Sequence, residues 1–129
     1  MTTKLKLNST RVMEADSQEL TKANVLFPQD GTCSLHLHSV TSAQVSAPVF
    51  SSKAAPGVVM GVGSVGSYLL PWEACDTYLS EDGGLTWKFA LEHPHKYEFG
   101  DMGGLIVAVR DDNVPVGYFQ YSADRGQSW

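Results

Sequence analysis

The alternation of polar and apolar residues sets the first expectations. Ser34-Leu35-His36-Leu37-His38-Ser39-Val40 alternates with period two, which predicts a strand with one buried face. Val58-Val59-Met60-Gly61-Val62 is a short apolar run, as in a strand covered on both faces, and Gly63 to Gly66 is expected to turn the chain. Beyond it Thr77–Leu79, Leu85–Ala90, Lys96–Phe99, Leu105–Val109 and Val116–Tyr121 read as further strands, set apart by Gly, Pro, Asp and Asn. Residues 1–32 show no clear period, although Pro28-Gln29-Asp30-Gly31 is a turn signal, and the Ser/Thr/Ala-rich stretch 41–56 reads as a loop. No stretch of ten residues carries a helical stripe. Short strands divided by turn residues predict an all-β chain.

A repeat sharpens this reading. Ser80-Glu81-Asp82-Gly83-Gly84-Leu85-Thr86-Trp87 aligns with Ser122-Ala123-Asp124-Arg125-Gly126-Gln127-Ser128-Trp129, at an offset of 42 residues. The shared pattern is Ser-x-Asp-x-Gly-x-Ser/Thr-Trp, and each copy follows a strand containing aromatic residues. An offset of this size matches the roughly 40–50 residues of one four-stranded propeller blade. The pattern has a mechanical reading as a self-fastened hairpin corner. The carboxylates of Asp82 and Asp124 can accept from backbone N–H groups that the turn exposes. Gly84 and Gly126 can take a positive φ that a Cβ would resist. The hydroxyls of Ser80, Thr86, Ser122 and Ser128 can bond across the turn, while Trp87 and Trp129 open the outgoing strand with a large ring to bury. Reading Asp82 and Asp124 instead as metal ligands or catalytic acids would take the carboxylate away from its own turn.

Composition narrows the function classes. The chain has 129 residues, enough for one ordinary domain, with 43% hydrophobic and 18% charged residues. The net charge is −5, concentrated beyond residue 70, where four basic face ten acidic side chains. With no basic stripe, nucleic acid is not an expected partner. The longest clean apolar run, Leu105–Val109, is far short of the roughly 18 residues of a membrane span. Residues 1–17 carry Lys4, Lys6, Arg11, Glu14 and Asp16 without the apolar core of a signal peptide. Cys33 and Cys75 permit one disulfide across a long loop and match no C-x-x-C metal or redox motif. No metal or cofactor is expected.

The octapeptide is the Asp-box, a feature of sialidases and of sortilin-type sorting receptors. The intervening segments favour the second. Cys33-Ser34-Leu35-His36-Leu37-His38, Phe50-Ser51-Ser52 with Ala55-Pro56-Gly57, Met60-Gly61-Val62-Gly63, Asp76-Thr77-Tyr78-Leu79-Ser80 and Tyr97-Glu98-Phe99-Gly100-Asp101 with Gly103-Gly104 follow in order. Together they resemble the luminal domain of vacuolar protein-sorting receptors, the fungal branch most closely. The likeness covers residues 33–129, with 1–32 a poorly matching, partly irregular leader. It implies a partial β-propeller of about three four-stranded antiparallel sheets with Asp-box turns, and a binding module rather than an enzyme. The implied partners are protein or peptide cargo such as soluble vacuolar hydrolases. The implied place is the Golgi and endosome lumen, as part of a type I membrane receptor. Open blade faces would favour self-association, and the alternative to a cargo-binding segment is a non-functional structural remnant. Sialidase-type hydrolysis would need a cluster of arginines, and the chain has only Arg11, Arg110 and Arg125.

Four further candidates arise from the residues. His36 and His38 share a strand face and could begin a zinc site if Asp30 or His93 joined them; the alternative is a polar strand face. His93 and His95 flank Pro94 and could act as a pH switch. Asn8-Ser9-Thr10 fits a glycosylation sequon. Tyr97 with Glu98 and Asp101 could be a nucleophile with carboxylates, or a buried aromatic followed by a turn.

Overall fold

The computed structural model describes residues 2–4, 34–38, 52–111 and 115–129. Strands run in chain order as β1 (Thr2–Lys4), β2 (Ser34–Leu37), β3 (Val59–Gly66), β4 (Asp76–Ser80), β5 (Lys88–Leu91), β6 (His95–Gly100), β7 (Leu105–Arg110) and β8 (Gln120–Ser122). Two single 3-10 turns, Trp72–Ala74 and Asp101–Gly103, sit between strands. Among the described residues no helix is long and apolar enough to cross a membrane. Within each sheet, strands that follow one another in sequence pair antiparallel. The first sheet has the order β1-β2-β3-β4-β5 and the second β6-β7-β8. The chain is therefore all-β, built as partial propeller blades.

Period-two patterning decides which face meets which. Register pairs Met60 with Leu79 and Val62 with Thr77, so these four side chains share one face of the first sheet. In the second sheet Tyr97 pairs with Ala108 and Phe99 with Ile106. Those two faces meet in one core of Ala55, Val58, Met60, Leu79, Leu91, Tyr97, Ile106 and Ala108, with Ala90, Phe99 and Trp129 packed against it. Two polar contacts cross the same seam. The Tyr97 hydroxyl donates to the Met60 carbonyl at 2.7 Å. Buried His95 sits with Nδ1 3.3 Å from Thr77 Oγ1.

The structure revises several expectations. Gly63–Gly66 is strand, not turn. A Cβ at Gly63 would lie 2.1 Å from the His36 carbonyl oxygen, so glycine here serves the close approach of β2. The strand expected over Val116–Tyr121 is only Gln120–Ser122, because those three residues are the ones that find partners on β7. Leu85–Thr86–Trp87 belongs to a corner and the strand starts at Lys88, since the Thr86 N–H is claimed by Asp82. The described residues form two sheets, where repeat arithmetic gives about three. Among the described residues, those before Val59 supply β1 and β2, which extend the first sheet. β1 itself, antiparallel to β2, lies in the segment expected to be irregular. Asn8, Asp30 and Cys33 fall outside the described residues.

Candidate functional site

The repeated octapeptides form two corners with the same wiring. In the first, the Ser80 hydroxyl donates to Asp82 Oδ1 at 2.8 Å and accepts from the Gly84 N–H at 2.8 Å. Asp82 Oδ1 also accepts from the Thr86 N–H at 2.8 Å, and Oδ2 accepts from the Thr86 hydroxyl at 2.6 Å. In the second, the Ser122 hydroxyl donates to Asp124 Oδ1 at 2.7 Å and accepts from the Gly126 N–H at 2.7 Å. Asp124 Oδ1 accepts from the N–H groups of Gln127 and Ser128 at 3.0 and 2.9 Å, and Oδ2 accepts from the Ser128 hydroxyl at 2.5 Å. Ser80 and Ser122 are both 1% exposed. Their burial is tolerable because every hydroxyl valence is used.

Backbone conformation repeats as well. Gly83 and Gly84 have φ 72° and 94°, and Arg125 and Gly126 have 57° and 74°. The fifth-position glycine does what its sequence pattern implies. The fourth position is left-handed too, which the sequence conceals in the second corner by placing Arg125 there. A left-handed non-glycine costs about 1–2 kcal/mol.

The hydrogen bonds set the electrostatics of both carboxylates. The Thr86 hydroxyl, the Thr86 N–H and the Ser80 hydroxyl, in that order, hold Asp82 down at about 2. The Ser128 hydroxyl, then the Ser122 hydroxyl and the Ser128 N–H, likewise hold Asp124 well below the usual carboxylate range. Each carboxylate is fixed in its ionised form by its own turn, and its oxygens are engaged there. Neither is poised as a proton donor near neutral pH.

The two corners touch different things. A Cβ at Gly126 would lie 2.4 Å from Leu79 Cδ2, so the second corner rests on the first sheet. At Gly84 the added Cβ would meet, among the described residues, only its own corner's Trp87, at 3.7 Å. Trp87 Nε1 donates to the Gly84 carbonyl at 3.0 Å, whereas buried Trp129 Nε1 has no partner among the described residues. Lys88 ties the corners together: its ammonium donates to Glu81 Oε2 at 2.9 Å and to the Arg125 carbonyl at 3.2 Å.

The other candidates disperse. His36 Nε2 donates to the Gly66 carbonyl at 3.1 Å and His38 Nε2 to the Leu70 carbonyl at 3.0 Å. Among the described residues no three His, Cys, Asp or Glu side chains gather to hold a metal. His93 is exposed with φ 71°, and its N–H donates to Asp76 Oδ1 at 2.9 Å. His95 is 2% exposed, with Nδ1 donating to the His93 carbonyl at 3.0 Å and Nε2 3.1 Å from Gln120 Oε1. The pair is thus split between a surface loop and a buried joint. Tyr97 is buried and Glu98 exposed on the opposite face of β6, while Asp101 lies in the left-handed turn beyond it, so the three form no unit. Cys75 is a buried free thiol that donates to the carbonyls of Leu70 and Pro71 at 3.4 and 3.3 Å. Burial, reinforced by Asp76, pushes it up to about 11.

Matching Asp-box corners on antiparallel sheets stacked face to face define a β-propeller-type chain whose recurrent feature is architectural. The comparisons with known proteins give it a lineage. The Sortilin-Vps10 family model, described as sortilin, neurotensin receptor 3, matches residues 11–129, and the chain belongs to that family. Its relatives include the vacuolar protein sorting/targeting protein 10 of Aspergillus terreus, 54% identical over 95 residues, and that of Aspergillus flavus, 50% identical over 95 residues; each match covers 74% of this chain. The protein of the same name from Laccaria bicolor is 50% identical over 101 residues, 75% of this chain. The chain spans about 6% of the length of each of these relatives.

Proposed function

We propose that this chain is a cargo-binding luminal segment of a vacuolar sorting receptor, acting without catalysis. In this reading the receptor carries soluble hydrolases from the Golgi to the endosome and vacuole. The observation that carries the proposal is identity of about 50% to proteins named for vacuolar sorting. The chemistry of the corners supports a non-enzymatic role, because Asp82 and Asp124 spend their oxygens on their own turns. Within such a receptor the segment supplies rigid stacked sheets, and its acidic second half favours cationic stretches of cargo.

The test is disruption of the gene in its own host, with vacuolar hydrolase activity followed in the culture medium. Hydrolases should be missorted into the medium and return to the vacuole on re-expression. Hydrolase retention unchanged by the disruption would refute the reading.

A further inference from the structure

Where β2 ends, the fold gathers a thiol, an imidazole and a carbonyl that serve neither corner. His38 follows β2, and its N–H donates to the Val62 carbonyl at 2.9 Å. Cys75 closes the 3-10 turn Trp72–Ala74, its N–H donating to the Trp72 carbonyl at 3.1 Å. An edge-on contact with Trp72, 5.1 Å between ring centroids, holds the His38 ring against that turn. Three donor atoms then face one another. Cys75 Sγ is 3.5 Å from His38 Nε2 and 3.4 Å from the Leu70 carbonyl oxygen, and Nε2 is 3.0 Å from that same oxygen. Thiol and imidazole thus aim their protons at one acceptor. The Pro71 carbonyl lies 3.3 Å from the sulfur.

These spacings fit a coordination shell. A tetrahedral ion with about 2.3 Å to sulfur and about 2.0–2.2 Å to nitrogen and oxygen keeps its donors about 3.3–3.6 Å apart. Both edges from the sulfur already have that length. The edge between Nε2 and the Leu70 oxygen must open by roughly 0.3–0.4 Å. One thiolate, one imidazole and one carbonyl suit zinc rather than calcium or magnesium, which take oxygen alone. The local field agrees on separate grounds. After burial, the Asp76 charge does most to raise the Cys75 thiol, and Glu73 adds to it. The same two charges favour a cation beside the sulfur. Cys75 is 1% exposed and His38 is half-buried, so an ion reaches the sulfur past the imidazole.

We propose that Cys75, His38 and the Leu70 carbonyl form a binding site for a zinc ion. The thiol proton leaves to solvent as the Zn–S bond forms. The imidazole stays neutral, its proton passing by exchange with solvent from Nε2 to Nδ1, and Nε2 takes the metal. His36 has no part in this site, because its Nε2 is engaged by the Gly66 carbonyl at 3.1 Å.

The test uses the reduced 129-residue chain with Cys33→Ser, so that Cys75 is the one thiol. Cobalt(II) serves as the spectroscopic probe and zinc as the competitor. Cobalt should produce a sulfur-to-cobalt charge-transfer band at one ion per chain, and zinc should abolish it. Calorimetry in buffers of different ionisation enthalpy should show the release of up to one proton per zinc bound. Cys75→Ser should remove the band. His38→Gln, which keeps a donor for Leu70, should weaken zinc binding by more than about 100-fold, the upper end of what loss of an outer-shell partner costs. His36→Gln should leave the affinity unchanged, and circular dichroism checks that each variant keeps its sheets. A cobalt complex without the charge-transfer band in the Cys33→Ser chain would overturn the proposal with no further variant. So would zinc affinity that survives Cys75→Ser or His38→Gln, or that falls as far with His36→Gln.

Discussion

Substituting the fifth-position glycine of each corner by alanine separates the cost of the turn from the cost of the contact between sheets. Both glycines are left-handed, Gly84 at φ 94° and Gly126 at φ 74°. A Cβ in that region costs about 1–2 kcal/mol at either site. Gly84 is the farther from the left-handed well, so its backbone cost is the larger of the two. Any gain from stiffening the unfolded chain is shared and cancels. What differs is the surroundings. At Gly84 the new methyl meets, among the described residues, only the Trp87 ring at 3.7 Å, an ordinary contact. At Gly126 it would lie 2.4 Å from Leu79 Cδ2, a methyl held in the fully buried core. Relieving that overlap moves Leu79 or opens the seam, with an overpacking cost of about 1–3 kcal/mol. Gly84→Ala should therefore lose about 1–2 kcal/mol and Gly126→Ala about 2–5 kcal/mol. Urea titration followed by tryptophan fluorescence at low protein concentration measures both. Equal losses, or a larger loss at Gly84, would refute the claim that the second corner bears on the first sheet.

Other outcomes follow from the same geometry. Tyr97→Phe leaves the Met60 carbonyl without its cross-sheet donor and should cost about 1–3 kcal/mol in the same titration. Acid should weaken the fold in a defined window. Asp82 and Asp124 titrate lower folded than unfolded, so their contribution is present above the ordinary carboxylate value of about 4 and fades as pH falls toward 2. Asp82→Asn should flatten that part of a stability–pH profile measured by circular dichroism. With Cys33 replaced by Ser, the buried Cys75 thiol should react slowly with a thiol reagent at pH 8 and quickly once the chain is unfolded, because burial keeps it protonated.

The corners were legible in the sequence because their hydrogen bonds close within eight residues, so each residue type can be matched to a local need. β6 and β7 were legible for a related reason: strict alternation over Lys96–Phe99 and an apolar run over Leu105–Val109 leave little choice of element. Gly63 was misread because what requires a glycine there is the His36 carbonyl, 27 residues earlier, and local composition shows Gly63-Ser64-Val65-Gly66 as turn material. The aromatic stretch before Gln120 has strand propensity throughout, but pairing with β7 decides how much of it is strand. Thr2–Lys4 has no period to betray it and becomes a strand through its neighbour β2. His93 and His95 look alike in sequence, and only the stacking of sheets makes one a surface residue and the other a buried joint. Which side chains meet across the seam depends on tertiary register, and a single chain read residue by residue carries no signal for it.

The hydroxyl of Tyr97 on the Met60 carbonyl has a consequence for motion. Apolar side chains alone let stacked sheets glide, since one greasy neighbour substitutes for another. A directional bond at the centre of the seam does not allow that. Slippage by a single residue, about 3.3 Å along a strand, would strand both the phenol and the carbonyl in a dry interior. The two layers should therefore rock about that pin rather than shear past it.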